Sequence, residues 1–179
     1  GAGDATEEIA MIGQSATRAS VLLQFYRIAF GATDSEGVLS RSTIESHGTH
    51  MLATPKIALT WQGLEGPPVT RTEGQLLFQL LLCARAIAGM QGNISVRLNA
   101  DASLPISINV RALGVRPGAP ATNQATNQAT VRLLASEPDL ADVGARQIEF
   151  ALVHRSARQL GVTLHVSGDG ENTMIEVVR

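Results

Sequence analysis

The feature that most constrains this chain is a pair of adjoining apolar stripes between Thr6 and Phe30. One stripe runs Ile9, Ile12, Ala16, Ala19, Leu23, Tyr26 and Phe30, with spacings alternating between three and four. That is the a/d seam of a helix packed along its length. A second stripe lies beside it through Met11, Ser15, Arg18, Leu22, Phe25 and Ala29, and toward the carboxyl end both become large and apolar. A helix resting on a single core needs only one stripe. Two predict more than one neighbour, as in a four-helix bundle. The further helices would come from a segment before Gly1, from a second copy of the chain, or from both. The abrupt opening, which reads as a turn entering a helix, leads to the same expectation of a segment upstream.

Bulk composition narrows the function classes. At 179 residues, 44% hydrophobic and 17% charged, the chain has enough apolar surface for one ordinary core plus a helical appendage. Aromatics at 3% leave no stacking platform for bases, and a net charge of −2 gives no reason to expect nucleic acid or an acidic membrane as partner. The longest apolar run, from Leu76 to Met90, is interrupted by Gln79 and Arg85, so no transmembrane helix is expected, and the first residues do not read as a signal peptide. The single cysteine, Cys83, excludes an internal disulfide and fits a reducing cytoplasm.

Punctuation along the chain predicts the elements. Thr6 is placed to cap the long helix, Glu7 and Glu8 suit its positive end, and Gly31 ends it. A polar linker from Ala32 to Gly37 follows, then a short helix to about Leu52 opened by a capping box of Ser42 and Glu45. Lys56 to Gln62 alternates as a strand, and Gly66-Pro67-Pro68 is a turn. Thr70 and Glu73 form a second capping box for an apolar helix from Gly74 to Ala88, closed by Gly89 and Gly92. Strands are expected at Asn93 to Asn99 and Ile106 to Ala112, joined by the loop Asp101 to Pro105. Gly114 to Gln128, with two prolines and a twofold ATNQ repeat, reads as a mobile loop. A short helix is expected at Thr130 to Ser136, a turn region at Pro138 to Val143, and a helix from Ala145 to Leu160. Two strands, Val162 to Ser167 and Thr173 to Val178, close the chain around Gly168-Asp169-Gly170. The mixture predicts an α+β fold: a helical stem over residues 1–33, then a two-layer sandwich over 38–179 with helices on one face of a mixed sheet.

That order resembles the two halves of a histidine-kinase core, a dimerising helical hairpin followed by an ATP-binding sandwich. The run Gln79-Leu80-Leu81-Leu82-Cys83-Ala84 stands where such kinases have N-L-L-x-N-A, whose second Asn binds the magnesium of ATP. Both Asn positions are replaced, by Gln79 and Cys83, and a thiol is a poor magnesium ligand. Arg111-Ala112-Leu113-Gly114 stands where the adenine-reading D-x-G-x-G is expected, and the last glycine-rich box is reduced to Gly144 within ADVGARQ. Gln79, Cys83, Arg111 and Gly114 are thus degenerate nucleotide positions. On the run Leu22-Leu23-Gln24-Phe25-Tyr26-Arg27-Ile28-Ala29-Phe30-Gly31-Ala32, and on the strand ending Leu59-Thr60-Trp61-Gln62, the chain resembles the ChpT-type bacterial histidine phosphotransferases.

The resemblance implies a homodimer whose stem supplies half of a helical hairpin, making a four-helix bundle with a second copy. It implies a phosphotransferase of a two-component phosphorelay. Such a protein shuttles a phosphoryl group between the receiver domain of a hybrid histidine kinase and response regulators, without a cofactor of its own. Magnesium would come with the receiver. The phosphoacceptor His of such proteins lies on the first stem helix, which would precede Gly1, so no catalytic residue is expected within this chain. Ile9, Ala16, Ala19, Leu23, Tyr26 and Phe30 would form the stem core. Glu8, Ile12, Ser15 and Arg18 would line the regulator-docking surface. Two other readings stand beside this one: a divergent sensor-kinase core that still binds ATP, and a non-enzymatic dimerisation or adaptor module.

The four histidines read otherwise. His47 and His50 are three apart on a short helix, and no Cys or carboxylate cluster completes a metal site around them. His154 beside the Phe150–Val153 stripe reads as a packing residue, and His165 as a sheet-surface residue. Cys83 reads as a small core residue.

Overall fold

A computed structural model describes residues 2–31, 37–52, 54–99, 106–112, 121–136, 148–168 and 172–179. The element order is α1 (Ala2–Phe30), β1 (Val38–Leu39), α2 (Arg41–Leu52), β2 (Ile57–Gln62), β3 (Val69–Thr70), α3 (Arg71–Ala88), β4 (Gly92–Leu98), β5 (Ile106–Ala112), α4 (Ala121–Ala135), α5 (Ile148–Leu160), β6 (Thr163–Gly168) and β7 (Asn172–Val178).

The main sheet has the order β2-β4-β5-β7-β6. β2 and β4 run parallel with α3 as the crossover, and the other three pairings are antiparallel, so the sheet is mixed. Strand alternation sorts the side chains onto two faces. The register aligns Trp61, Val96, Ile108, Ile175 and Val166 in one row across all five strands, and this row belongs to the core. One residue along, Thr60, Ser95, Asn109, Met174 and Ser167 form the matching row on the uncovered face. There Thr60 and Ser95 hydrogen-bond hydroxyl to hydroxyl at 2.6 Å.

α3 is the centre of the helical layer. Leu76, Leu77, Phe78, Leu80, Leu81, Cys83, Ala84 and Ile87 are all buried, on every side of the helix. A helix apolar all round must be covered all round, and α3 lies between the sheet, α1 and α5. Its start is the reciprocal capping box read in the sequence: Thr70 Oγ1 accepts from the Glu73 amide at 3.2 Å, and Glu73 Oε2 accepts from the Thr70 amide at 2.8 Å. Gly89 closes it with φ of 65°, a conformation that glycine adopts without a Cβ clash. α2 packs on β2 at Gly48, where a Cβ would come within 2.6 Å of the Trp61 ring. The Trp61 indole N–H donates to Thr49 Oγ1 at 3.1 Å.

Several boundaries differ from the sequence reading, each for a local reason. α1 begins at Ala2, so Thr6 lies inside the helix and is not its cap. α2 is capped two residues earlier than expected: the Ser40 hydroxyl accepts from the Thr43 amide at 3.1 Å, and Ser42 points elsewhere on the first turn, toward the same hydroxyl at 2.9 Å. Gly92 opens β4 rather than closing α3. The expected loop over Gly114 to Gln128 is helical from Ala121, and α4 runs unbroken through the ATNQ repeat to Ala135, absorbing the short helix placed at Thr130. The repeat is rich in alanine and has no glycine or proline after Pro120, so nothing in it breaks a helix. The two-residue strands β1 and β3, antiparallel through Val38↔Thr70 and Leu39↔Val69, carry too little pattern to be seen in sequence. The turns expected at Asp101 to Pro105, Pro138 to Val143 and Asp169-Gly170 lie outside the described residues, as does Gly114. No described helix is long and apolar enough to cross a membrane.

Candidate functional site: the stem helix and its seat

The two stripes of α1 have different fates. The second stripe reaches the body at its carboxyl end. Phe25 and Ala29 are fully buried, Ile28 nearly so, and Leu22 half-buried. Phe25 lies against Phe78 of α3 with ring centroids 4.7 Å apart, and meets Tyr26 edge-on at 5.7 Å. These residues join the same core as α3.

The first stripe faces away. At 3.6 residues per turn its mean direction is about 140° round the helix from the seated face. Ile9 is 70% exposed, Ile12 68% and Leu23 65%; Ala16, Ala19, Tyr26 and Phe30 are exposed as well. Tyr26 and Phe30 stack on each other with ring planes 16° apart, presenting a flat aromatic surface. Isolated exposed leucines are ordinary, but a contiguous apolar stripe marks a surface made to be covered. Met11, at the amino-terminal end of the second stripe, is 62% exposed, because that stripe is seated only at its carboxyl end.

Glu8, Ile12, Ser15 and Arg18 are all exposed on the same amino-terminal half of α1. Ser15 and Arg18 continue the stripe that ends in Phe25 and Ala29, so they lie on the side of the stem facing the body. Ile12 belongs to the bare stripe and Glu8 borders it. The structure therefore divides these four: Ser15 and Arg18 on the body side of the stem, Glu8 and Ile12 on the bare side.

The nucleotide positions have been put to other use. Gln79 is 2% exposed, and its Nε2 donates to the Ala29 carbonyl at 2.8 Å. One turn earlier, Gln75 Nε2 donates to the Gly31 carbonyl at 3.2 Å. Both glutamines thus cap the carboxyl end of α1, where a helix leaves its last carbonyls without partners. Cys83 is fully buried, and burial pushes its thiol well above its usual range, with Glu149 at the start of α5 adding to the effect. A buried protonated thiol has neither the access nor the oxygen donors that a magnesium–nucleotide complex requires. Arg111 sits exposed on β5. These residues do not fit a nucleotide.

The histidines supply no acceptor constellation. Among the described residues no group of three or more His, Cys, Asp or Glu could hold a metal ion. On α2, His50 Nδ1 is 2.7 Å from the Ser46 carbonyl, and burial, reinforced by His50, lowers the pKa of His47. His154 Nε2 is 3.2 Å from the Leu133 carbonyl and joins α5 to α4, as a packing residue would. His165 is exposed on the edge strand β6.

Sequence reasoning missed the second role of α3. Gln75 and Gln79, four apart, are the only polar residues facing inward along the middle of an otherwise apolar helix. That spacing was the available signal for a shared partner.

Comparison with known proteins accords with this geometry. The family model for the histidine phosphotransferase C-terminal domain matches residues 41–172. The protein phosphotransferase ChpT of Brucella abortus is 33% identical over 120 residues, covering 64% of this chain and 57% of that protein. The chain thus spans little more than half the length of that curated relative. The structure of a bacterial phosphotransferase superposes with a TM-score of 0.67 at 22% identity, covering 98% of this chain and 80% of the other. A histidine kinase from Burkholderia phymatum shares the fold at a TM-score of 0.51 and 14% identity, over 96% of this chain and 79% of the kinase. Through residues 41–172, from the start of α2 to the first residue of β7, this chain belongs to the histidine phosphotransferase C-terminal domain family.

Proposed function

We propose that this chain is the scaffold of a phosphorelay histidine phosphotransferase, working as a homodimer through α1. The observation that carries the reading is the bare apolar stripe Ile9, Ile12, Leu23, Tyr26 and Phe30, on the far side of a helix whose other side is seated at its carboxyl end. Its continuous length suits helices of a second copy, together with the helix that bears the phosphoacceptor histidine. The result is a four-helix bundle.

The transfer is reversible and in line. A neutral imidazole nitrogen attacks the phosphorus of an aspartyl phosphate on the receiver domain of a hybrid kinase. The N–P bond forms, the acyl P–O bond breaks, and the aspartate carboxylate is released. The reverse sequence loads the aspartate of a response regulator. The magnesium that neutralises the acyl phosphate belongs to the receiver. The contribution of this chain is position. Ser15 and Arg18 flank the corner into which a receiver would fit, with Arg18 available to an acidic pocket, and Glu8 and Ile12 would meet it on the neighbouring side of the stem. The buried, protonated Cys83 and the committed Gln79 support the absence of ATP from the cycle. A lone buried thiol also suits the reducing cytoplasm.

The test joins this chain to its acceptor helix and mixes it with a receiver domain carrying labelled phosphate. Label should pass to the protein and then to a second receiver, with no heat of binding for Mg-ATP. Micromolar ATP binding would instead favour a kinase core. Dimerisation without any transfer of label would leave an adaptor module.

A further inference from the structure

α1 is held at one end only. Residues 6–20 are exposed throughout, and the seat is confined to the last turns. Fifteen residues of helix rise about 22 Å. A rocking of about 10° at the root therefore moves the far end by close to 4 Å, while a misplacement of about 1 Å can slow a group transfer on the order of a hundredfold. Whatever the stem presents is only as well aimed as its root.

The root packs on both α3 and α2, and side-chain hydrogen bonds add a direction to that packing. Beside the root is a cavity of about 260 Å³ lined by Phe30, Gly31, Gln75, Gln79, Arg155 and Ser156, which leaves the last turn room to shift. At its wall are two hydrogen bonds, Gln79 Nε2 donating to Ala29 O and Gln75 Nε2 donating to Gly31 O. Gln79 is an odd choice for stability. Its Oε1 is buried and has no hydrogen-bond partner among the described residues. An apolar side chain of equal length would avoid that unpaired acceptor, at the expense of leaving the Ala29 carbonyl without its donor. What such a side chain would lack is direction. A hydrogen bond weakens steeply off its axis, whereas dispersion contacts tolerate rotation.

We propose that Gln79, assisted by Gln75, is a positioning residue that sets the angle of α1 on the body and so aims the stem at its partner. The angular role stands on geometry alone; its effect on rate rests on the phosphotransfer reading above.

The test compares Gln79→Met and Gln79→Glu with the parent, in protein joined to its acceptor helix. Spin labels are placed at Glu7→Cys on α1 and Ala86→Cys on α3, both exposed positions, and diluted with unlabelled protein. Cys83 is buried and stays unlabelled. Gln79→Met removes the unpaired Oε1 but strands the Ala29 carbonyl, so its unfolding temperature should change little, yet its distance distribution should widen about twofold. Its maximal transfer rate should fall about tenfold, with the KM for the phosphorylated receiver unchanged. Gln79→Glu sets a carboxylate against the Ala29 carbonyl, and should widen the distribution while also lowering the unfolding temperature. A narrow distribution in Gln79→Met, or a wide one with an unaltered rate, overturns the positioning role. A parent protein with a narrow distribution and no transfer would overturn the phosphotransfer reading, and leave the angular role to be decided by the distances alone.

Discussion

Phe25 and Leu23 are two residues apart on α1 and face opposite worlds: Phe25 is fully buried against Phe78, and Leu23 is 65% exposed. The pair separates folding from assembly. Phe25→Ala should cost about 3–5 kcal/mol of unfolding free energy, as large-to-small changes in a packed core do. Leu23→Asp should leave the circular dichroism of the body unchanged and halve the mass seen by light scattering. A single-chain mass for the parent at tens of micromolar, a rough scale for weak self-association, would count against pairing through this face.

The capping box at the start of α3 gives a second expectation. Thr70→Ala removes the acceptor for the Glu73 amide and should lower stability by about 1 kcal/mol in urea titrations. Ser42→Ala should be nearly silent, because Ser40 is the residue that caps α2. Ser40→Ala should cost about as much as Thr70→Ala.

Acid stability should respond to two groups with opposite signs. Burial, then the neighbouring His50, lowers the pKa of His47 from 6.5, so the unfolded chain takes up its proton first. No penalty exists above 6.5; it develops as the pH falls below that value, and is complete beneath the folded-state pKa. His47→Gln should therefore reduce the loss of stability as the pH falls below 6.5. Burial raises the pKa of Glu149 from 4.5, so its ionised form opposes folding at neutral pH. Glu149→Gln should stabilise the protein near pH 7. The gain should vanish once the pH falls below 4.5 and the carboxyl is protonated in both states. Urea midpoints against pH read both effects.

Cys83 should be silent to thiol reagents in the folded protein and react only as fast as the chain unfolds, because the thiolate that reacts is both buried and disfavoured. Fast modification at neutral pH would show that α3 opens toward α5.

Much of this is legible in the residues. The Thr70–Glu73 box, the strand Ile106–Ala112 and the apolar run of α3 each carry a local signal strong enough to survive tertiary context. The two stripes of α1 announce two kinds of surface, because helical periodicity marks each apolar face, whether it is seated or bare. The loop reading of the ATNQ repeat fails because polarity is not absence of structure. Alanine and glutamine favour a helix whatever their hydropathy, and Val131 and Leu133 pack α4 against the core. The glutamine clamp is hidden for another reason. In sequence, Gln79 stands out only for the first Asn of the N-L-L-x-N-A run that it replaces. Its true partner, the Ala29 carbonyl, is 50 residues away and is a backbone atom present at every position.

The row Thr60, Ser95, Asn109, Met174 and Ser167 across the open face of the sheet has its own consequence. Hydroxyls and amides dominate it, so that side of the body is content in water and gives an apolar partner little to grip. Among the described residues, the longest adhesive strip runs along one helix. On the function proposed above, recognition of a sister copy and delivery of its chemical cargo would share a single line of side chains, and a change that improves one would be felt at once by the other.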